Sequence, residues 1–501
     1  MTIVGINDGH DGSVCIVRDG KLVSAISTER ITRVKKQAGV TDETIEYALD
    51  CAGIDSSDID FSVEPDQDKE VRKNNHVKTK RTVLGKSLEH YIIPHHLAHC
   101  ASAYYTSNFS DSHCISMDCS CGSPEFNSLV ARGEGNKLYS VYCPNLLIGV
   151  IYGIVTERLG FGDAAFKAGT TMGFAPYGKK IDFDYEVKIF FNPEFPDITG
   201  GYELDQTFDG GGKLILYEGT TKKRMDIAAT VQNDFEEQLI SAISKLDLSS
   251  GSKNLCMSGG SFLNCTANSK IVDSTNFKNY HLFPACGDDG AAVGAALYLS
   301  HHILDEPRQF YKTRDLCYTG KDRPLSATPD YDYISSRIAA GDIIGWFQGR
   351  SEFGPRALGN RSILADPRKQ NNKEIINHVI KNREWFRPFA PIVLEEHYKD
   401  WFDFPLASPY MLYTAPVKQP NVVPAVTHVD GTSRFQTVNA ETNEHCYNLI
   451  KSFNDKTGVP LLINTSFNDN GQPSVETEDE AMEAAVQLNL DMVVINGECH
   501  E

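Results

Sequence analysis

No run of apolar residues in the 501-residue chain approaches the ~20 that a membrane-spanning helix needs, so a helical span is excluded and a soluble protein is expected. The opening Met1-Thr2-Ile3-Val4-Gly5 enters a strand-like segment with no basic region before it, which argues against an export signal. Thirteen cysteines are an odd number without repeated spacing, and Cys119 and Cys121 are the single close pair. That pattern argues against a disulfide framework and for reduced thiols in a cytoplasm. Positive charge is in deficit: 48 Lys and Arg against 67 Asp and Glu leave a net charge of −19. A broad electrostatic footprint on nucleic acid or an anionic membrane is disfavoured, while a local basic groove could survive. Also missing are a low-complexity tract, a solenoid-length repeat, and any Gly-x-Ser-x-Gly elbow, Walker lysine loop or dinucleotide fingerprint in its required context.

What remains is globular composition, 41% apolar and 23% charged, in a chain too long for one ordinary core, so two or three domains are expected. Residues 3–28 read as three strands, with a glycine-rich tip at Asn7-Asp8-Gly9-His10-Asp11-Gly12-Ser13. Strand and glycine-loop units recur at Cys114–Asp118 and at Asn254–Gly260, the latter leading through Asn264 into a helix. Gly259, Gly260 and Asn264 would suit a nucleotide, because unpaired N–H groups point outward at a helix N-terminus. Asp288–Leu297 reads as a helix with a small-residue face suited to close packing. Between Asp305 and Tyr331 the chain turns polar around Pro307, Pro324 and Pro329, and the boundary is placed there, dividing residues 1–325 from 326–501. Both parts read as mixed α/β.

Chemistry concentrates in three places. His95 and His99, four apart after Pro94, would share one helix face, and Asp118 and Asp288 each end an apolar stretch in a glycine-rich turn. Two histidines and two carboxylates suit a divalent ion such as iron, zinc or manganese. His10, among Asp8, Asp11 and Ser13, is either a general base or a loop histidine bonded to a neighbour. The third is Gly349–Ser362, where three arginines and three glycines interleave after the strand-like Ile343–Phe347. Glycines let backbone N–H groups approach an anion and guanidinium forks match phosphate oxygens, so this is an anion cradle. Arg356, Arg361, Lys381, Arg387 and Arg434 could converge on phosphorylated substrates, with Asn464, Ser466 and Asn468 as neutral donors. Trp385, Phe386 and Phe389 read as core rather than stacking platforms.

Together, these segments resemble the nodulation-type O-carbamoyltransferase family, which includes enzymes that decorate Nod factors, aminoglycosides and cephems. The resemblance rests on Asn7–Ser13, Pro94–Tyr104, Met172–Gly178, Ser258–Cys265, Gly287–Ala296, Gly349–Pro367, Trp385–Pro391 and Asn464–Asn468. It implies an N-terminal actin/Hsp70-superfamily (ASKHA) domain followed by a YrdC-like α/β domain. It implies that the YrdC-like part makes carbamoyl adenylate from carbamoyl phosphate and ATP. The N-terminal part would then pass the carbamoyl group to a hydroxyl or hydroxymethyl group. Carried over by motif, Arg356, Lys381, Arg387 and Arg434 would hold phosphates, and His95, His99, Asp118 and Asp288 a divalent metal, iron foremost, with magnesium accompanying ATP. Gly259, Gly260 and Asn264 would touch the nucleotide, and His10 would be the acceptor's base. The partner is a small-molecule hydroxyl, with a hydroxymethylated nucleotide or DNA as the lesser reading; no membrane is implied, and monomer and homodimer stay open. Three departures stand out: Cys119-Ser120-Cys121 where the family usually has Gly-x-Gly, Ala168-Gly169-Thr170 where it has Glu-Gly-Lys, and Ser258 for alanine. A sugar or metabolite kinase of the same superfamily is the competing reading, but it leaves the second-half arginines without a task.

Overall fold

A computed structural model of the protein describes residues 1–66, 71, 75–118, 127–144, 146–181, 186–190, 201–205, 221–247 and 251–501. The Cys119-Ser120-Cys121 departure lies outside the described residues. Three larger sheets and one two-stranded ladder, with helices between them, make a mixed α/β architecture.

The first sheet is built from β1 (Thr2–Asn7), β2 (Ser13–Arg18), β3 (Lys21–Ser27), β4 (Phe61–Asp66), β5 (Val77–Val83) and β6 (Lys86–Pro94), in the order β3-β2-β1-β4-β6-β5. Its first three strands form the expected antiparallel meander, and β4 and β6 then add in parallel. All six residues of β1 are buried, which accounts for its unbroken apolar text.

The second sheet repeats that plan. Strands β7 (Asp111–Met117), β8 (Ser128–Glu134) and β9 (Lys137–Tyr142) form a meander. The backbone ladder of β10 (Glu186–Phe190) and β11 (Gly201–Asp205) stands apart, and β12 (Asn254–Ser258) and β13 (Asn279–Leu282) extend β7 in parallel. The order β9-β8-β7-β12-β13 therefore matches β3-β2-β1-β4-β6, a duplication that no sequence repeat announces.

Helices His95–Thr106 and Ala291–Leu297 cross between the two sheets, and both are wholly buried. The small-residue face does what its composition predicts: a Cβ on Gly294 would stand 1.8 Å from the Ala98 carbonyl oxygen. Gly294→Ala should therefore force the helices apart at a cost of about 2–3 kcal/mol, read as a lower denaturation midpoint at unchanged slope.

In the second half, strands β14 (Ile344–Phe347), β15 (Arg361–Ala365), β16 (Ala390–Leu394), β17 (Tyr413–Pro416), β18 (Thr432–Val438), β19 (Leu461–Ser466), β20 (Met492–Ile495) and β21 (Glu498–His500) form one sheet ordered β17-β18-β16-β19-β15-β14-β20-β21. The 325/326 division falls in the irregular stretch between helices Thr313–Cys317 and Tyr331–Ala340. The halves interlock rather than hang on a linker. His428 pairs its Nε2 with the Gly173 carbonyl oxygen at 3.0 Å, and Asn268 donates to the Leu412 carbonyl oxygen at 3.0 Å. No helix among the described residues is long and apolar enough to cross a membrane.

Candidate metal centre and basic cluster

Pro94 ends β6, and the helix begins at once with His95, so His95 and His99 stack one turn apart with ring centroids 4.6 Å apart. Asp118 follows the last residue of β7, and Asp288 opens the short turn into Ala291–Leu297. One ligand atom from each of the four residues lies within 4.8 Å of every other, and all four are buried. His99 Nε2 sits 3.2 Å from Asp288 Oδ1 and 3.4 Å from Asp118 Oδ2, and His95 Nε2 sits 3.5 Å from Asp288 Oδ1. Burial alone would depress both imidazoles, yet the two carboxylates prevail and raise His95 to about 10 and His99 above its usual value. Asp288 is correspondingly held well below the carboxylate range: burial opposes this, but the charge of His95 and the bonds from His10, His95 and His99 outweigh it. Two nitrogens and two carboxylates facing one point in a buried space fit a divalent cation, whose binding would displace those protons. His96, between the pair in sequence, turns away to the Ser116 hydroxyl at 2.9 Å.

His10 stands at the mouth of this cluster, half-exposed, with Nε2 at 2.9 Å from Asp288 Oδ2 and Nδ1 at 3.1 Å from Asp11 Oδ2. Those two bonds, Asp11 first and Asp288 second, raise its pKa to about 11. Gly259 packs on the Met117 backbone and Gly260 on the Asp118 carboxylate. Gly259 has φ +98, and a Cβ on Gly260 would come 2.8 Å from Asp118 Oδ1. Asn264, expected at a nucleotide, instead caps helix Cys265–Ser274 through Ala267 N at 3.1 Å. It also pairs with the Gln232 amide at 3.0 and 3.1 Å, leaving one amide hydrogen uncommitted.

In the second half, Arg356, Arg383, Arg387 and Arg434 share one region. Burial, followed by the charges of Arg434 and Arg387, lowers Arg356 to about 9; burial and then Arg387 and Arg434 lower Arg383. The Nε atoms of Arg356 and Arg434 are buried without a hydrogen-bond partner among the described residues. Lys381, nearly inaccessible, is held by the carbonyl oxygens of Ser466 and Asn468 and by Asn468 Oδ1 at 3.3 Å; burial pushes its ammonium well below the usual value. Clustered cations with unpartnered donors suit an anion. Arg356 Nη2 reaches the Leu263 carbonyl oxygen at 3.4 Å, and Arg387 Nη1 donates to Thr170 Oγ1 at 2.8 Å, so the cluster faces the first half. Thr170 belongs to the Ala168-Gly169-Thr170 departure, which therefore bears on the basic cluster as well as on acceptor handling.

Two expected contributors sit elsewhere. Arg361 is fully enclosed: Nη1 donates to the carbonyl oxygens of Gln348 and Asn360 at 2.8 and 3.1 Å and Nη2 to that of Gly349 at 2.9 Å, while the guanidinium lies over the Phe347 ring at 3.7 Å. Its fork is committed to the loop's own carbonyl oxygens, and its Nε is buried without a hydrogen-bond partner among the described residues. Asn464 is spent on the Ala357 carbonyl oxygen at 3.0 Å and Gln436 Oε1 at 2.9 Å. Trp385 is half-exposed rather than core, whereas Phe386 and Phe389 are buried as expected.

Sequence reasoning passed over Arg383, although its spacing two residues after Lys381 was the signal. It also missed Glu352, whose buried Oε1 accepts from the backbone N–H groups of Leu358, Asn360 and Arg361 at 2.8, 2.8 and 3.1 Å and so shapes the arginine loop from within. Gly354, at φ +103, completes the docking, because a Cβ there would stand 2.9 Å from the Pro284 carbonyl oxygen.

Two family models match the chain. The family described as Carbamoyltransferase N-terminus matches residues 2–92, 76–187 and 203–297, and Carbamoyltransferase C-terminus matches 335–500. Nodulation protein NolNO of Sinorhizobium fredii is 34% identical over 97% of this chain and 78% of its own length. The 3'-hydroxymethylcephem-O-carbamoyltransferase of Streptomyces clavuligerus is 26% identical over 94% of this chain and 93% of its own. Among solved structures, full-length HypF in a phosphate- and nucleotide-bound form covers 59% of this chain and 46% of its own, at 13% identity and a TM-score of 0.35, too slight a likeness to argue from. On the strength of the family matches and relatives spanning nearly the whole chain, the protein belongs to the carbamoyltransferase family and is a transferase enzyme.

Proposed function

We propose that the protein is an ATP-dependent O-carbamoyltransferase working in two steps at two sites, with an actin/Hsp70-type first domain and a YrdC-like second domain. The observation that carries the reading is the clustering of Arg356, Lys381, Arg383, Arg387 and Arg434, in which Arg356 and Arg434 keep unpartnered Nε donors that suit phosphate oxygens. The duplicated sheet plan of the first half supports its superfamily assignment. Carbamoyl phosphate, the co-substrate its family implies, gives up inorganic phosphate to water and leaves carbamate. A carbamate oxygen attacks the α-phosphorus of ATP, and pyrophosphate leaves with its magnesium. The basic cluster binds and orients these anions and offsets the charge that builds up in transfer.

The second step belongs to the first half. A carbamoyl carbon is a poor electrophile because nitrogen donates into its carbonyl, and adenylation supplies a good leaving group. A divalent ion on His95, His99, Asp118 and Asp288, with iron the first candidate, would supply positive charge to offset these carboxylates and polarise the carbonyl. His10 holds a proton while bonded to both Asp11 and Asp288; a divalent ion neutralising Asp288 would release it, and His10, its ring oriented by Asp11 at Nδ1, would then present Nε2 to the acceptor hydroxyl and take its proton. The acceptor oxygen bonds to the carbamoyl carbon, and AMP leaves. The cephem relative acts on a hydroxymethyl group, which supports a hydroxyl-bearing small molecule here.

Purified enzyme given ATP, magnesium and carbamoyl phosphate should release pyrophosphate only when all are present. Mass spectrometry of hydroxyl acceptors should then show addition of one carbamoyl group in the presence of a divalent metal. Phosphoryl transfer to an acceptor, with ADP and no pyrophosphate, would establish a kinase instead.

A further inference from the structure

One strap of the first half, residues 28–39, grips both sites. Helix Thr28–Thr32 ends at Arg33, a non-glycine residue at φ +61, and Lys36 follows at φ +53. Left-handed backbone at L-residues persists only where surroundings over-determine it.

Toward the second half, the Arg33 fork donates to the carbonyl oxygens of Ser474 at 2.8 Å and Pro473 at 3.0 Å and pairs with Glu480 at 3.3 Å. Arg30, only 6% exposed, reaches the carbonyl oxygens of Val475 and Glu352 at 3.4 and 3.5 Å and lies 4.0 Å from Glu476 Oε2. Buried Glu476 in turn accepts from Tyr47 at 2.8 Å and from Ser351 of the arginine loop at 3.0 Å. The gripped segment continues directly from Asn468, which holds Lys381, and closes back on itself where Val475 N donates to the Phe467 carbonyl oxygen at 3.0 Å.

Toward the transfer site, Glu29 accepts from Lys35 Nζ at 2.7 Å and Lys36 N at 2.8 Å, and Lys36 Nζ pairs with Asp11 at 2.9 Å. Backbone bonds from Gly12 to Gln37 at 2.8 Å and from Gly39 to Gly9 at 3.1 Å seat the His10 tip on the strap.

We infer that Arg30 and Arg33 form a positioning clamp that locks the Lys381 loop to the His10 tip, so that activated carbamoyl passes from the basic cluster to the metal site without escaping to water. The inference rests on the two-step reading above. Neither arginine need touch substrate, and the fork geometry explains why arginine is used: two carbonyl oxygens in one loop are held by one rigid group.

Hydroxylamine tests this without knowledge of the acceptor. Its nitrogen attacks escaped carbamoyl adenylate at the carbamoyl carbon, the bond to the AMP oxygen breaks, AMP leaves with the electron pair and one nitrogen proton goes to solvent, giving hydroxyurea. Hydroxyurea formed without ATP is subtracted, since carbamoyl phosphate decays unaided. Arg33→Ala, at a partly exposed position, should keep pyrophosphate release within about twofold of the parent while hydroxyurea per pyrophosphate rises about fivefold or more. Arg33→Lys, whose ammonium lacks the planar fork that spans both carbonyls and Glu480, should fall between, and Tyr47→Phe, which loosens Glu476 by one hydroxyl, should shift the ratio in the same direction. An unchanged ratio in all three variants with pyrophosphate release intact would overturn the clamp. Absence of carbamoyl-phosphate-dependent pyrophosphate release in the parent would overturn the two-step reading, and this inference with it.

Discussion

Arg356→Ala is expected to lower carbamoyl-phosphate-dependent pyrophosphate release about a thousandfold while leaving the fold intact. Its guanidinium is desolvated and crowded by Arg434 and Arg387, with Nε unpartnered and a single long bond from Nη2 to the Leu263 carbonyl oxygen. Such a cation makes little of the structure, so its removal relieves repulsion in the free enzyme and costs only when phosphate charge arrives. The variant should melt at or slightly above the parent temperature. A stopped or radiolabelled pyrophosphate assay beside a thermal melt checks both halves of the statement, and near-parental release would remove Arg356 from the reaction. Arg361→Ala should behave in the opposite manner: three carbonyl oxygens and the Phe347 face lose their partner, so stability falls and activity follows stability.

Asp288→Asn should separate the two steps. Its carboxylate meets His95 and His99 through Oδ1 and His10 through Oδ2, so one substitution weakens the ion's ligand set and frees the imidazole placed beside the acceptor. Metal retained after dialysis, measured by plasma mass spectrometry, should fall from about one ion per chain to under about a tenth, since both charge and a ligand are lost. Transfer to a hydroxyl acceptor should drop about a thousandfold or more. Pyrophosphate release should persist within a few-fold, because the basic cluster lies in the other half of the chain. Loss of both activities together, with the protein still folded, would refute the division of labour.

How much of this was legible in the sequence depends on how each residue is supported. The convergence of two histidines and two carboxylates was readable because each member sits at a boundary that sequence marks: His95 and His99 just after a proline that starts a helix, Asp118 and Asp288 at the ends of apolar stretches in glycine turns. The first meander and the small-residue helix were readable for the same reason, since periodicity and glycine report local geometry. Arg361 was not. Nothing local distinguishes an arginine that braces carbonyl oxygens from one that awaits an anion, and five residues separate it from Arg356 in one loop. Arg383 was not legible because what sets it apart is its nearness to Arg387 and Arg434, the latter 51 positions away, which no local pattern reports.

The sequence by itself determined the family, the mixed α/β class and the chemical kinds of side chain available, because those follow from local pattern and ordered motifs. Only the tertiary structure decided which arginine donors carbonyl oxygens occupy, that Asn264 caps a helix, and that Arg30 and Arg33 reach the segment that follows Asn468. Those outcomes turn on which donor finds a carbonyl oxygen far along the chain: Arg361 has three such partners and Arg356 a single long one, and residue type does not tell them apart.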